Sequence, residues 1–127
     1  MHTRSITRPR TLWFVLLVLC GCNAKAAEHI NLTLADLPNS GATMIGWQTG
    51  PWQGADWVSY PGNATLTIEH ALGREPSNVL VYVSFNRDGQ SSAMAAGDIG
   101  RIQSVTDSTV RVQNGTQQDF FLRLTVD

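Results

Sequence analysis

The amino-acid sequence predicts an all-β fold, a small antiparallel β-sandwich of about seven short strands that follows an N-terminal signal segment. Apolar residues recur with a period of two along most of the chain after residue 41, and Gly, Pro and Asn turn signals separate the alternating runs. The length of 127 residues favours a single domain, and a hydrophobic content of 43% excludes a disordered chain. Stability is therefore expected to come from one apolar core.

The segment 22–41 is predicted to be a tether that runs into a first strand. Polar and turn-forming residues surround a brief alternation at Ile30, Leu32 and Leu34. The β-sandwich domain itself is predicted to cover residues 42–127.

Within that domain, two runs predict strands of different kinds. Residues 64–69 alternate between apolar and polar side chains, which predicts a strand with one face in water. Residues 79–85 are apolar on nearly both faces, which predicts a central strand. Further alternating runs cover residues 99–105, 110–112 and 120–126.

Turn signals separate these runs. Asn114-Gly115 predicts a hairpin, because both residues tolerate the positive φ of a type I′ turn, although residues 116–119 leave a longer loop open. Residues 61–63 and 86–89 also predict turns. The best helix candidate, residues 91–96, lies between glycines and is expected to be a loop or a single turn.

The first residues predict a secretory signal, residues 1–21. Residues 12–19 form an unbroken apolar run, which is too short to span a bilayer as a helix of ~20 residues. Three arginines precede this run, and all ten acidic residues follow it. A buried N-terminal helix is the alternative, but the cationic start and the short apolar run favour export.

Leu19-Cys20-Gly21-Cys22 resembles the lipobox of bacterial lipoproteins. The resemblance implies that Cys22 is acylated with palmitate-type chains and becomes the first residue, which would anchor the protein in the bacterial cell envelope, facing the periplasm or the exterior. Ala24-Lys25-Ala26 offers a competing site, where ordinary signal peptidase would cut before Ala27. Either cut leaves the folded domain without a free cysteine.

The charge of the predicted mature chain bears on the class of partner that the protein can bind. From Cys22 onward the chain carries six Lys and Arg against ten acids, a formal charge of −4. A mildly acidic domain with scattered arginines does not fit a phosphate backbone, so no nucleic-acid partner is expected. The expected partners are the membrane, through the lipid anchor, and a glycan or protein surface.

The most unusual segment is a cluster of aromatic residues, since three of the four tryptophans lie within eleven residues. The candidate ligand-binding residues are Trp47, Trp52, Trp57, Tyr60, Gln53 and Asp56, with Gln48 as a further polar group. Flat rings stack on sugar faces while amide and carboxylate groups bind hydroxyls, and the same residues suit a protein hot spot. The alternative is that some of these rings fill the end of the core.

The sequence contains no recognisable catalytic or metal-binding motif, so we expect no enzyme, no cofactor and no metal. His29 and His70 are 41 positions apart, and Glu69 and His70 point to opposite faces of one strand. Paired carboxylates from distant strands could still converge, which keeps a hydrolase as a less favoured alternative.

Residues 68–83 resemble the entry to a central strand in small β-sandwich modules of phage tail fibres and H-type lectins, and residues 114–124 resemble the closing strand of such modules. The resemblance implies the fold and no site. The sequence thus favours an exported, lipid-anchored binding module at the cell envelope, with carbohydrate as a candidate ligand. A structural envelope lipoprotein without a specific ligand remains the alternative.

Overall fold

The computed structural model describes residues 24–127. Cys22 and the predicted signal segment 1–21 lie outside the described residues. The described chain forms ten strands: β1 (Glu28–Leu32), β2 (Gly41–Ala42), β3 (Trp47–Gln48), β4 (Val58–Tyr60), β5 (Ala64–Glu69), β6 (Val79–Ser84), β7 (Ala93–Met94), β8 (Arg101–Val105), β9 (Thr109–Gln113) and β10 (Phe120–Val126). Two short 3-10 turns, Leu34–Asp36 and Gly97–Gly100, complete the secondary structure of this range. The all-β prediction is confirmed.

The strands form two sheets. The four-stranded sheet has the order β1-β5-β9-β8, and the six-stranded sheet has the order β2-β3-β10-β6-β7, with β4 also paired to β10. The ten strands exceed the predicted seven because β2, β3 and β7 contain two residues each and β4 contains three, too few to show an alternation.

One strand pair departs from the antiparallel prediction, because β1 runs parallel to β5. Between these two strands the chain crosses to the other sheet and builds β2, β3 and β4 before it returns. When the chain comes back to the first sheet, β5 pairs with β1 in the same direction. A crossover connection allows this parallel pairing, whereas a short hairpin does not.

The core lies between the two sheets. The four-stranded sheet contributes Leu66, Ile68, Val110 and Val112, and the six-stranded sheet contributes Val81, Val83, Leu122 and Leu124. These residues alternate with outward side chains on the same strands, so the period of two in the sequence marks the two inner faces.

The predicted Asn-Gly hairpin is replaced by the longer loop. β9 and β10 belong to different sheets, so their connection has to cross the edge of the sandwich and cannot be a two-residue turn. Asn114 is fully buried and holds the loop together. Its amide nitrogen donates to the carbonyl oxygens of Pro61 and Gln118 at 3.1 and 2.8 Å, and its side-chain oxygen accepts from the N–H of Thr116 at 3.0 Å.

The start of the described chain is attached to this same loop. The backbone N–H of Lys25 donates to Oε1 of Gln117 at 2.7 Å, and the Lys25 ammonium pairs with the carboxylate of Asp119. The side-chain amide of Asn63 donates to the carbonyl oxygen of Lys25 at 2.9 Å. Part of the predicted tether is thus tied to the sandwich.

Candidate ligand-binding groove

The structure separates the four predicted aromatic residues into three buried residues and one surface residue. Trp47, Trp57 and Tyr60 are 2%, 5% and 0% exposed, whereas Trp52 is 46% exposed. Trp47 pairs with Val126 and Tyr60 pairs with Phe120, both on the inner face of β10, and this register turns the two rings inward. Trp47 and Tyr60 belong to the hydrophobic core, so the alternative that some rings fill the core is correct for these two, whereas Trp57 is buried outside that cluster.

Trp57 is packed beneath the turn 86–89. Its backbone N–H donates to the carbonyl oxygen of Arg87 at 2.8 Å, and a Cβ on Gly89 would overlap its indole ring. Gly89 has a φ of 80°, which favours glycine independently of the ring. The indole supports the base of the loop that carries Trp52.

Trp52 lies on the outer face of the six-stranded sheet. Its ring centroid is 4.7 Å from that of Tyr82 and 5.9 Å from that of Trp57. The guanidinium carbon of Arg123 lies 4.1 Å from the centroid of the Trp52 ring. Tyr82 and Arg123 are direct cross-strand partners on β6 and β10, so two neighbouring strands hold the exposed ring in place.

Arg123 is the residue of this site that the sequence analysis missed. It is only 6% exposed; its Nε donates to the carbonyl oxygen of Gly50 at 2.8 Å and its Nη2 donates to Oε1 of Gln48 at 2.6 Å. Burial lowers the pKa of the guanidinium below its ordinary value. The signal in the sequence was a single charge at an outward position of an apolar strand, which also fits a solvated side chain.

Two depressions meet at Trp52. On one side lies an apolar groove of about 530 Å³, lined by Met44, Ile45, Leu80, Tyr82, Arg123 and Thr125 together with Thr43, Gln48, Val126 and Asp127. On the other side lies a polar depression of about 530 Å³, lined by Gln53, Asp88, Gly89, Gln90, Ser91 and Ser92. The exposed ring forms the wall that they share.

The predicted polar residues divide between this site and another. Gln53 lines the polar depression and Gln48 holds Arg123, so both belong to the Trp52 site. Asp56 instead lines a separate pocket of about 340 Å³ together with Leu37 and Trp57. The structure therefore does not bring Asp56 into the Trp52 site.

The histidines do not approach each other. His29 lies exposed on β1, whereas His70 is buried, with Nε2 3.0 Å from the carbonyl oxygen of Thr106 and Nδ1 accepting from the N–H of Leu72 at 3.2 Å. Residues 24–127 contain no group of three His, Cys, Asp or Glu side chains that could hold a metal ion. Over the same range, no helix has the length and apolar character needed to cross a membrane.

Comparison of the chain with known protein families, with curated proteins and with solved structures finds no match. The chemistry of the groove therefore carries the functional argument. It offers a flat aromatic surface, a guanidinium beneath that surface, and amide and hydroxyl groups along one side.

Proposed function

We propose that this protein is an exported, lipid-anchored β-sandwich module of the bacterial cell envelope that binds carbohydrate at Trp52. The observation that carries the proposal is the half-exposed indole, held against Tyr82 and Arg123 on the outer face of a sheet. A ring that is fixed before binding loses little conformational freedom when a ligand stacks on it.

The two sides of Trp52 suit the two kinds of surface on a sugar. A pyranose ring presents C–H groups on its faces and hydroxyl groups around its edge, so it needs an apolar surface with a few placed polar groups. Trp52 and the apolar groove supply the apolar surface. Gln53, Gln90 and Ser91 in the polar depression supply donors and acceptors for hydroxyls.

The position of Lys25 indicates where an anchor on Cys22 would lie relative to the groove. Only two residues separate Cys22 from Lys25, and Lys25 is bound to the loop before β10. The apolar groove lies near the far end of β10, beside Thr125 and Val126. Six residues of strand correspond to about 20 Å, so a lipid on Cys22 would be attached near one end of β10 and the groove would lie near the other.

The binding proposal is tested by Trp52→Ala in a glycan-array screen and in calorimetric titration of each glycan that binds. We expect wild-type binding, loss of binding in the variant, and only a modest fall in melting temperature, corresponding to a loss of about 1 kcal/mol. Phe85→Ala is the matched control, because Phe85 is 67% exposed and lies outside the groove. Binding that survives Trp52→Ala would place the ligand elsewhere.

The anchor is tested separately by metabolic labelling with a palmitate analogue. The wild-type protein is expected to be labelled, whereas Cys22→Ser is expected to remain an uncleaved precursor or to be released. A mature wild-type protein that begins at Ala27 would contradict the lipoprotein proposal.

A structural envelope lipoprotein is the second candidate function. The observation in its favour is the burial of Trp47, Trp57 and Tyr60, which leaves Trp52 as the one exposed ring among the four predicted aromatic residues. A glycan screen without any binder, together with a large fall in melting temperature for Trp52→Ala, would favour this candidate.

A further inference from the structure

We propose that the ligand of this groove is an acidic sugar of the uronic acid class, whose carboxylate is received by Arg123. This inference rests on the proposed carbohydrate function and specifies the ligand class for the same site.

No carboxylate among the described residues balances the charge of Arg123. Arg123 is only 6% exposed. Among residues 24–127, however, no carboxylate oxygen lies within 4.0 Å of its guanidinium nitrogens. Buried charges in proteins are ordinarily paired, because removing an ion from water without a counter-charge is unfavourable. The aromatic rings and two neutral oxygens around Arg123 offset this penalty only in part.

Not all N–H donors of Arg123 are used by the described residues. Nε and Nη2 each donate to a protein oxygen, whereas Nη1 has no hydrogen-bond partner among the described residues. In the same range, the only solvent-inaccessible side-chain nitrogen or oxygen without a partner is Nε1 of Trp57. Nη1 of Arg123 therefore keeps access to solvent, and Arg123 is one of the residues that line the apolar groove.

The groove around that free donor is apolar but open. Leu80, Ile45 and Met44 line it and are 39%, 73% and 103% exposed, so they offer apolar contact without excluding water. Asp127 also lines the groove, but its carboxylate accepts from the side-chain amide of Asn78 at 2.9 Å and lies beyond 4.0 Å from the guanidinium nitrogens of Arg123. An incoming carboxylate would thus find a guanidinium that no carboxylate of the described residues neutralises.

The charges of the two depressions give the orientation of the sugar. Each depression contains one acidic residue, Asp88 on the polar side and Asp127 on the apolar side, and the apolar groove also contains the guanidinium of Arg123. The carboxylate therefore enters the apolar groove toward Arg123, and the hydroxyl groups of the same chain face Gln53 and Gln90.

The test compares matched ligands on the unaltered protein. Trimers of galacturonate, mannuronate and glucuronate are titrated calorimetrically beside their methyl esters, which have the same ring and no charge. We expect at least one acid trimer to bind about tenfold or more tightly than its ester, with the difference shrinking at high salt. Equal affinity of acids and esters, or binding of neutral glycans alone, would overturn the acidic-sugar inference and leave the carbohydrate function in place.

Variants then assign the preference to Arg123. Arg123→Met is expected to bring the affinity of the acid trimer down to that of its ester, and Arg111→Met on the opposite sheet is expected to preserve the difference. If Arg123→Met does not fold, Arg123→Lys replaces it and is expected to reduce the difference, because a point charge lacks the planar donor geometry. An unchanged difference in a folded Arg123 variant would overturn the assignment, and the absence of any glycan binding would overturn the proposed function itself.

Discussion

The two sheets carry matching inner faces and contrasting outer faces. Across the outer face of the four-stranded sheet, cross-strand pairing forms the polar row Asn31–Thr67–Arg111–Ser104. On the six-stranded sheet the corresponding row is Met94–Tyr82–Arg123. Each row contains one arginine, and the environments of the two arginines differ.

Arg111 shows what a sheet arginine does when no site is built around it. It is exposed, and its Nε donates to the hydroxyl oxygen of Thr67 at 3.3 Å. Arg123 is buried beneath Trp52 and beside Tyr82. Folding needs only one apolar face on each sheet, so the aromatic and apolar outer face of the six-stranded sheet is an additional feature, of the kind that marks binding surfaces.

The contrast between inner and outer faces is tested most severely on β6. Val81 is 4% exposed and its neighbour Leu80 is 39% exposed. Val81→Asp would bury an unpaired charge and is expected to lower the free energy of unfolding by about 4 kcal/mol or more. Leu80→Asp is the matched control, with an expected loss below about 1 kcal/mol. Chemical denaturation measures both, and similar losses would mean that the outer face is also core.

The second largest effect is expected at Trp47, the inward counterpart of Trp52. Trp47→Ala removes a buried ring and is expected to cost about 3 to 5 kcal/mol. Trp52→Ala removes a half-exposed ring with three aromatic or cationic neighbours and is expected to cost about 1 kcal/mol. Thermal melts of the two variants separate the core ring from the surface ring, and a reversed order would contradict the assignment of Trp52 to a site.

Support for the Trp52 loop from beneath is tested at Gly89. Gly89→Ala places a Cβ into the indole of Trp57 at a positive φ, and is expected to cost about 2 to 4 kcal/mol. Gly54 has a similar φ of 82° but open space around its Cβ, so Gly54→Ala isolates the backbone contribution at about 1 to 2 kcal/mol. Equal losses in denaturant titrations would show that the Trp57 contact contributes nothing.

The sequence predicted the inner faces well and the outer site only in part. Strands β5, β6, β9 and β10 are long enough for a period of two to appear, and their inward residues were recognisable from alternation. Strands β2, β3, β4 and β7 contain two or three residues, so only their pairing partners define them.

The same limit applies to the aromatic residues. Trp47 lies on β3, whose register against β10 turns its ring inward, whereas Trp52 lies in the loop between β3 and β4 and is 46% exposed. Arg123 was recognisable as an outward residue from its alternation with Leu122 and Leu124. Its burial depends on a loop folded over the sheet, which is a tertiary contact without a local signal in the sequence.

The smallest effect is expected for the ion pair of a third cation, Lys25. Its ammonium pairs with the carboxylate of Asp119, whereas Arg123 has no carboxylate partner among the described residues. Hydrogen bonds from the Lys25 side chain and from the N–H of Gly62 hold the pKa of Asp119 below its ordinary value of 3.8. A carboxylate with a lowered pKa in the folded state stabilises the fold above its ordinary pKa, and this contribution is lost as the pH falls through the lower, folded value.

The wild-type protein should therefore lose stability below about pH 4, and Asp119→Asn should flatten this part of the profile by a small amount, since both partners are well exposed. Melting temperatures measured from pH 7 to pH 2 check the sign, and a wild-type profile identical to that of Asp119→Asn would show that the pair contributes nothing to stability. The same scan on Arg123→Met should leave the acid limb unchanged, because Arg123 has no carboxylate partner among residues 24–127.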